Sequence, residues 1–300
     1  MKKIILILLV ILLIANPNVA FSNNLKKIEV LIPLGPSIIP FAPLISESSD
    51  FNFTIWRTID ELTIRARDSK YDVIIAPFIT LVNLYNKGVN IKYLATFNFS
   101  AFYLVSNKAK KFEELKGETL YIAQKGSTQD IIFNIFLQQT ELKDKINIYY
   151  STPQEITSLY ISGKINNALL PEPFVSMCLA KNGRILLDIQ RVYRWISKGK
   201  YLPITSIAIR GNLNKKDIER IAKLFRDNFK NLNMNPEIYI EKSSKILNIE
   251  GHIIRASLKR LAFRYQGYSI KRDLLNFLDY IYEKAPQLIG NIPDENFFKL

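Results

Sequence analysis

The chain has little of what most catalytic and metal-binding frameworks require: one cysteine and one histidine, Cys178 and His252, in 300 residues. That scarcity excludes a disulfide scaffold, a zinc ribbon, a multi-histidine metal site and any catalytic pair needing a second histidine. With 11 Gly and 13 Pro it is neither collagen-like nor of low complexity. Hydrophobic residues make up 48% and charged residues 23%, so the chain can bury a sizeable core and is not disordered. At this length about two domains are expected. What is left is a binding protein or an enzyme that works with carboxylates or hydroxyls.

The only long apolar run is short for a membrane anchor. Met1-Lys2-Lys3 is a cationic start, and Ile4 to Ala15 is an apolar run of 12 residues closed by Asn16-Pro17. A spanning helix needs about 18 or more such residues. The run has the length and flanks of a secretory signal, and Ala20-Phe21-Ser22 puts small residues where a signal peptidase reads. Residues 1–22 are therefore expected to be a signal peptide cleaved near Ser22, and the product a free periplasmic protein, since no cysteine follows to carry a lipid. Cys178, lacking a partner, should pack as a small apolar residue.

The formal charge is +14, falling to +12 without residues 1–22, which take Lys2 and Lys3 and no acid. The basic residues are spread along the chain, and no segment combines dense Lys/Arg with interleaved aromatics, so a nucleic-acid partner is not expected. The excess reads as a solvated surface with some attraction to an anionic membrane or partner.

Hydrophobic periodicity then organises the chain. Strands are expected at Ile28–Leu34, Phe51–Trp56, Asp72–Ala76, Ile91–Phe97 and Ala101–Val105, with helices at Ile59–Arg67 and Thr80–Asn86. A second set follows: strand Thr119–Ala123, a helix to about Gln139, strand Ile146–Tyr150, helix Gln154–Ile161, strand Asn167–Leu170, a helix opened by Pro171-Glu172-Pro173, and strand Ile185–Ile189. Leu202–Ile209 reads as a strand returning to the first set, and from Lys215 onward only helices are expected, the third of them Ile253–Phe263. The alternation implies parallel strands covered by helices, an α/β arrangement. Two such lobes, 23–100 with 203–300 and 101–202, would be joined by crossings near Phe99–Ala101 and Lys200–Thr205. They could hinge around a small molecule held at the strands' carboxyl ends.

Several landmarks together resemble the substrate-binding proteins of ABC importers, in the branch of nitrate, sulfonate and taurine binders (SsuA/TauA) and NMT1/THI5-like thiamine-precursor proteins. They are Tyr71-Asp72-Val73-Ile74-Ile75-Ala76-Pro77, Glu114-Leu115-Lys116-Gly117-Glu118-Thr119, Gly126-Ser127-Thr128, Leu170-Pro171-Glu172-Pro173-Phe174 and Ile292-Pro293-Asp294-Glu295-Asn296-Phe297-Phe298. Their order and spacing cover roughly the whole mature chain. The first loop, Leu34-Gly35-Pro36-Ser37-Ile38-Ile39-Pro40, departs from the pattern. The resemblance implies a type II periplasmic binding fold with an interlobe cleft and a helical C-terminal tail, a small-molecule ligand, an inner-membrane permease as partner, and a monomer without cofactor.

Candidate contacts sit at the strand ends. Gly126-Ser127-Thr128 joins a strand to a helix, where the residues either cap it or present N–H groups to a carboxylate, phosphate or carbonyl oxygen. Trp56 could stack on a flat ligand or fill the core; Arg57, beside Thr58, could pair with an anion or stand in solvent. Pro77 and Phe78 end another strand, with Phe78 either walling the cleft or in the core. Ser37 and Ile38 could offer backbone N–H groups. Glu172, between two prolines after an apolar strand, reads as the acceptor for a ligand amine, amide or hydroxyl, or else as a helix N-terminal charge. A carboxylate there would repel a simple oxoanion and favour an N–H-bearing organic ligand, a heterocycle or a zwitterion; a sulfonate-like organic compound stands beside them as the third candidate. His252 reads as a surface or packing residue.

No metal-binding or catalytic residue is expected, and the leading expectation is a solute receptor. The alternatives are an enzyme on the same fold, of the thiamine- or menaquinone-precursor type with Glu172 as acid or base, and a sensory module using the lobes without transport.

Overall fold

The computed structural model describes residues 26–199 and 201–300; the expected signal peptide lies outside them. Eleven strands form two sheets among the described residues. The first contains β1 (Ile28–Pro33), β2 (Phe51–Trp56), β3 (Val73–Pro77), β4 (Ile91–Asn98), β10 (Thr205–Arg210) and β11 (Phe263–Gln266), in the order β11-β4-β10-β3-β1-β2. The second contains β5 (Phe102–Ser106), β6 (Thr119–Ala123), β7 (Asn147–Ser151), β8 (Asn167–Pro171) and β9 (Arg184–Asp188), in the order β7-β6-β8-β5-β9.

The two sheets share a plan. In each, three parallel strands stand second-first-third, and the next place is taken by a strand running the opposite way, β10 in one and β5 in the other. Both reversed strands follow passages between sheets, from β4 into β5 and back after β9 into β10. The sheets are thus mixed, not purely parallel: a chain arriving from the other lobe enters at the cleft end, so its strand runs away from it.

Helices cover both faces: α1 (Ala42–Glu47), α2 (Ile59–Arg65), α3 (Phe78–Asn86), α4 (Thr128–Leu137), α5 (Pro153–Ile161), α6 (Phe174–Leu179), α7 (Ile189–Ser197), α8 (Lys215–Met234), α9 (Pro236–Leu247), α10 (Gly251–Leu258), α11 (Lys271–Lys284) and α12 (Glu295–Phe298). Side chains alternate across each strand, so neighbours serve different cores. Val30 and Ile32 of β1 point to a core under α8 and α9, while Leu31 points to the opposite face. In β8, Ala168 and Leu170 serve the core under α5 and α6, and Leu169 the other.

The core that receives Leu31 and Leu169 is continuous across both sheets. Helix α11 completes it, with Phe277 packed against Phe78 of the first lobe and Tyr193 of the second, at ring separations of 6.2 and 5.5 Å. The tail is therefore the weld between lobes, and it is not helical throughout. Helix α10 ends at Leu258, and Phe263–Gln266 pairs with β4, because Phe263 is drawn into the core beside Phe97. Helix α7, absent from the sequence expectation, is capped by Asp188, whose carboxylate accepts from the Gln190 and Arg191 N–H groups at 2.9 and 3.3 Å.

Candidate functional site

The carboxyl ends of the parallel strands face each other across an interlobe trough. Its middle is a cavity of about 490 Å³. The first lobe contributes Pro33 to Ser37 from the end of β1, Trp56 to Thr58 from the end of β2, Pro77 ending β3, and Ile204 and Thr205 at the start of β10. The second contributes Phe102 at the start of β5, Gln124 and Ser127 to Gln129 after β6, Thr152 to Gln154 after β7, Pro171 ending β8, and Phe174.

The turns are shaped by glycine where L-residues are strained. Gly35, at φ +141°, lets the chain leave β1 and turn at once along the cavity wall. Gly126, at φ +77°, bends the β6–α4 loop, and its N–H donates to Asp130 Oδ2 at 2.7 Å. The same carboxylate accepts from Asn134 and from the Tyr150 hydroxyl, at 2.6 and 2.9 Å, which locks the start of α4 in place. Burial, and then the negative charge of Asp130, raise the Tyr150 pKa.

Seven of the sequence candidates surround this one cavity: Ser37, Trp56, Arg57, Thr58, Pro77, Ser127 and Thr128. Their availability differs. The Trp56 indole N–H is bonded to the Ile75 carbonyl at 3.1 Å, leaving the ring as an apolar wall. Thr58 caps α2, accepting from the Glu61 N–H at 3.1 Å. The Glu61 carboxylate accepts in turn from the Arg57 backbone N–H at 2.8 Å, which holds its pKa below the ordinary value. The Arg57 guanidinium is exposed, with no ion pair among the described residues. The Ser37 hydroxyl reaches Thr205 at 3.4 Å. Gly126 lines the adjoining part of the trough rather than the central cavity.

Three candidates lie elsewhere. Ile38 is fully buried in the core beneath α8, because the 3-10 turn Pro36–Phe41 points it away from the cleft. Phe78 opens α3 and turns inward onto Tyr93, Phe277 and Phe297. Glu172 is 0% exposed and does not line the cavity. Its carboxylate accepts from the Ser176 N–H and hydroxyl, at 3.1 and 2.7 Å, and forms an ion pair with Arg260. The reason is tertiary: the turn after α10 brings a guanidinium to the back of β8.

Sequence reasoning did not single out Gln129, which lines the cavity where Glu172 does not. Thr128 and Gln129 are 3% and 2% exposed, and both Thr128 Oγ1 and Gln129 Oε1 lack a hydrogen-bond partner. The Gln129 amide nitrogen is fixed on the Ala123 carbonyl at 2.8 Å, which turns its oxygen the other way. The Ser127 hydroxyl donates to the same carbonyl at 3.2 Å and so does not cap α4. The first-turn N–H groups of a ten-residue helix thus stand without a side-chain acceptor beside two unpaired buried oxygens. Phe174 and Thr152 were legible, one inside a quoted landmark and the other as a Thr-x-x-Glu helix start.

The cavity carries one formal charge, Arg57, and no carboxylate. On one side the trough widens into about 640 Å³ lined by Arg57, Lys87, Lys125 and Asp60. On the other it continues for about 590 Å³ past Ile161, Met177 and Leu247 without a charged side chain. Among the described residues no cluster of His, Cys, Asp and Glu could hold a metal, and no helix is long and apolar enough to cross a membrane.

Residues 30–188 match the family described as protein of unknown function DUF3834, and the chain belongs to that family. No curated protein matches it. Among solved structures, it is similar to an ABC transporter from Parabacteroides distasonis, with 24% identity and a TM-score of 0.76 over 91% of this chain and 99% of that one. It is also similar to the periplasmic aliphatic sulphonate binding protein SsuA from Escherichia coli, with 15% identity and a TM-score of 0.71 over 92% of each. The alkanesulfonate-binding protein SsuA from Xanthomonas axonopodis pv. citri, bound to MOPS, aligns at 13% identity and a TM-score of 0.64 over 88% and 94%. The fold is that of the periplasmic binding proteins: two α/β lobes with a cleft between them.

Proposed function

We propose that this chain is an exported solute receptor: residues 1–22 direct it to the periplasm, lobes 23–100 with 203–300 and 101–202 hold one small organic molecule, and a membrane permease of the ABC type receives it. The observation that carries this reading is the interlobe cavity of about 490 Å³, whose wall includes Thr128 and Gln129, two residues whose side-chain oxygens are buried without a partner and would have to turn outward to meet a ligand. Buried polar atoms are normally hydrogen-bonded, and an unmet one costs about 1–3 kcal/mol, which a bound ligand would recover.

The lining narrows the ligand. Gln129 Oε1 accepts, so the ligand donates an N–H or O–H. The N-terminus of α4 and the Arg57 guanidinium favour a carbonyl or a single negative charge. The prolines, Trp56, Phe102, Phe174 and Ile204 favour an apolar, flat body. With no carboxylate in the lining, a ligand ammonium has no counter-charge, so of the three chemistries first considered the zwitterion is the least favoured. The acid–base role that an enzyme reading gives Glu172 has no support, since its carboxylate is paired with Arg260.

Thermal unfolding against a panel of neutral and singly anionic organic solutes tests the proposal. A true ligand at a hundred times its Kd should add about 2.7 kcal/mol to stability. Thr128→Val should leave the unliganded protein as stable as before, because the hydroxyl has no partner to lose, yet shrink that ligand-dependent gain. No stabilisation by any cleft-sized solute would sink the reading.

A further inference from the structure

We propose that the outward face of α7 docks this protein on an anionic lipid surface. Arg191, Arg194 and Trp195 stand at i, i+3 and i+4, within one arc of the helix, Lys198 follows at its C-terminal cap, and all four are exposed. The opposite arc, Ile189, Val192 and Tyr193, is buried, with Tyr193 packed edge-on against Phe277 and Tyr280. The helix is therefore held rigidly with a face of three cations and one indole turned outward.

Trp195 is 67% exposed, although tryptophan is among the largest apolar side chains a fold can bury. One ring contact seats it, Phe136 at 5.9 Å and 74°, and the rest of the indole faces outward. The end of the helix is equally defined. Lys198 closes it at φ +55°, the Ser197 hydroxyl donates to the Tyr193 carbonyl at 2.6 Å, and a Cβ on Gly199 would meet the Tyr193 hydroxyl at 2.5 Å.

Charge complementarity selects the occupant. No acid lies on the exposed stripe. Asp188, at the N-cap, partly neutralises Arg191 across 3.5 Å, and beyond Lys198 the Glu283–Lys284 pair cancels itself. Indoles settle at the headgroup level of a bilayer, and each Lys or Arg close to an anionic leaflet strengthens attachment about fivefold. One aromatic anchor beside three cations, on a chain of formal charge +12 without residues 1–22, fits phosphodiester headgroups around a shallow indole. The residues involved are separate from the ligand cavity, so this inference stands or falls independently of the solute reading.

The test uses the purified protein and sonicated vesicles, either pure phosphatidylcholine or equal parts phosphatidylcholine and phosphatidylglycerol. The chain has two tryptophans, and Trp56 is buried with its N–H bonded, so any vesicle-induced blue shift in emission reports Trp195. The expected result is co-sedimentation and a blue shift with anionic vesicles only, weakened by salt. The pair Arg191→Gln and Arg194→Gln should lower the partition coefficient tenfold or more, and Trp195→Phe should abolish the shift. Because these side chains are exposed, circular dichroism and melting temperature should not change, so loss of binding cannot be blamed on unfolding. Equal attachment to neutral vesicles, attachment insensitive to the double substitution, or binding to a permease without binding to vesicles would each overturn the proposal.

Discussion

Glu172 illustrates how a single side chain is assigned by its partner. A carboxylate that is 0% exposed is tolerated because Arg260 and Ser176 saturate it, and Arg260 Nη2 also donates to Ser176 Oγ at 2.6 Å. Removing one member of such a pair leaves an uncompensated charge, whereas removing both leaves none. Arg260→Gln should therefore cost about 3–5 kcal/mol in urea unfolding, and adding Glu172→Gln should restore much of that loss. A double variant as unstable as the single one would show that the segment is held by something other than this pair. Cys178, nearby, is fully buried, and burial followed by the Glu172 charge pushes its thiol up to about 12. The reactive thiolate is thus suppressed at pH 8, where an ordinary cysteine of pKa about 8.5 is partly ionised. Ellman's reagent should label no thiol in the native protein and one after denaturation.

Elements here are started by local chemistry and aimed by their surroundings. Thr58, Thr152, Asp188, Asn214 and Asp294 each accept from first-turn N–H groups of the helix they open. Ser127 occupies the same position at α4 but turns its hydroxyl back to Ala123, which keeps the cavity end of that helix open. The contrast leads to opposite expectations. Asp188→Ala should destabilise the fold by about 1 kcal/mol, as loss of a cap does. Ser127→Ala removes a 3.2 Å bond to a carbonyl and no cap, so its stability cost should be smaller. Chemical unfolding of the two variants side by side distinguishes these cases, and equal losses would contradict the assignment of an uncapped α4.

At the scale of the whole molecule, the lobes share more than two crossings. One core runs from Leu31 of β1 to Leu169 of β8, with Tyr193 and Phe277 at its junction. The Arg260 carbonyl accepts from the Tyr103 hydroxyl at 2.8 Å, and the Ala262 and Phe99 N–H groups bond across the crossing to Ser100 and Ala262 carbonyls. A shared core predicts cooperative melting: calorimetry should show a single transition with equal van't Hoff and calorimetric enthalpies. Phe277→Ala should lower the stability of the whole molecule by about 3–5 kcal/mol without splitting that transition. Two separated transitions in the parent protein would mean that the lobes unfold independently.

Much of this architecture is written locally. Strand and helix positions follow from period-two and 3.6-residue patterns, and the strand-end loops that face the cleft follow from where those patterns stop, so Trp56, Pro77 and Ser127 could be placed from sequence alone. What local patterns could not supply was direction. Phe78 opens α3 and Ile38 sits inside the 3-10 turn Pro36–Phe41, and both point their side chains into the core, while Phe263 leaves a helical register because Phe97 offers it a buried seat. Glu172 and Arg260 are 88 residues apart, and nothing in either neighbourhood announces the other. Hydrophobic spacing is a one-dimensional signal and determines which stretches form elements. The pairing of buried charges and the facing of side chains depend on which surfaces meet, and that only tertiary packing decides.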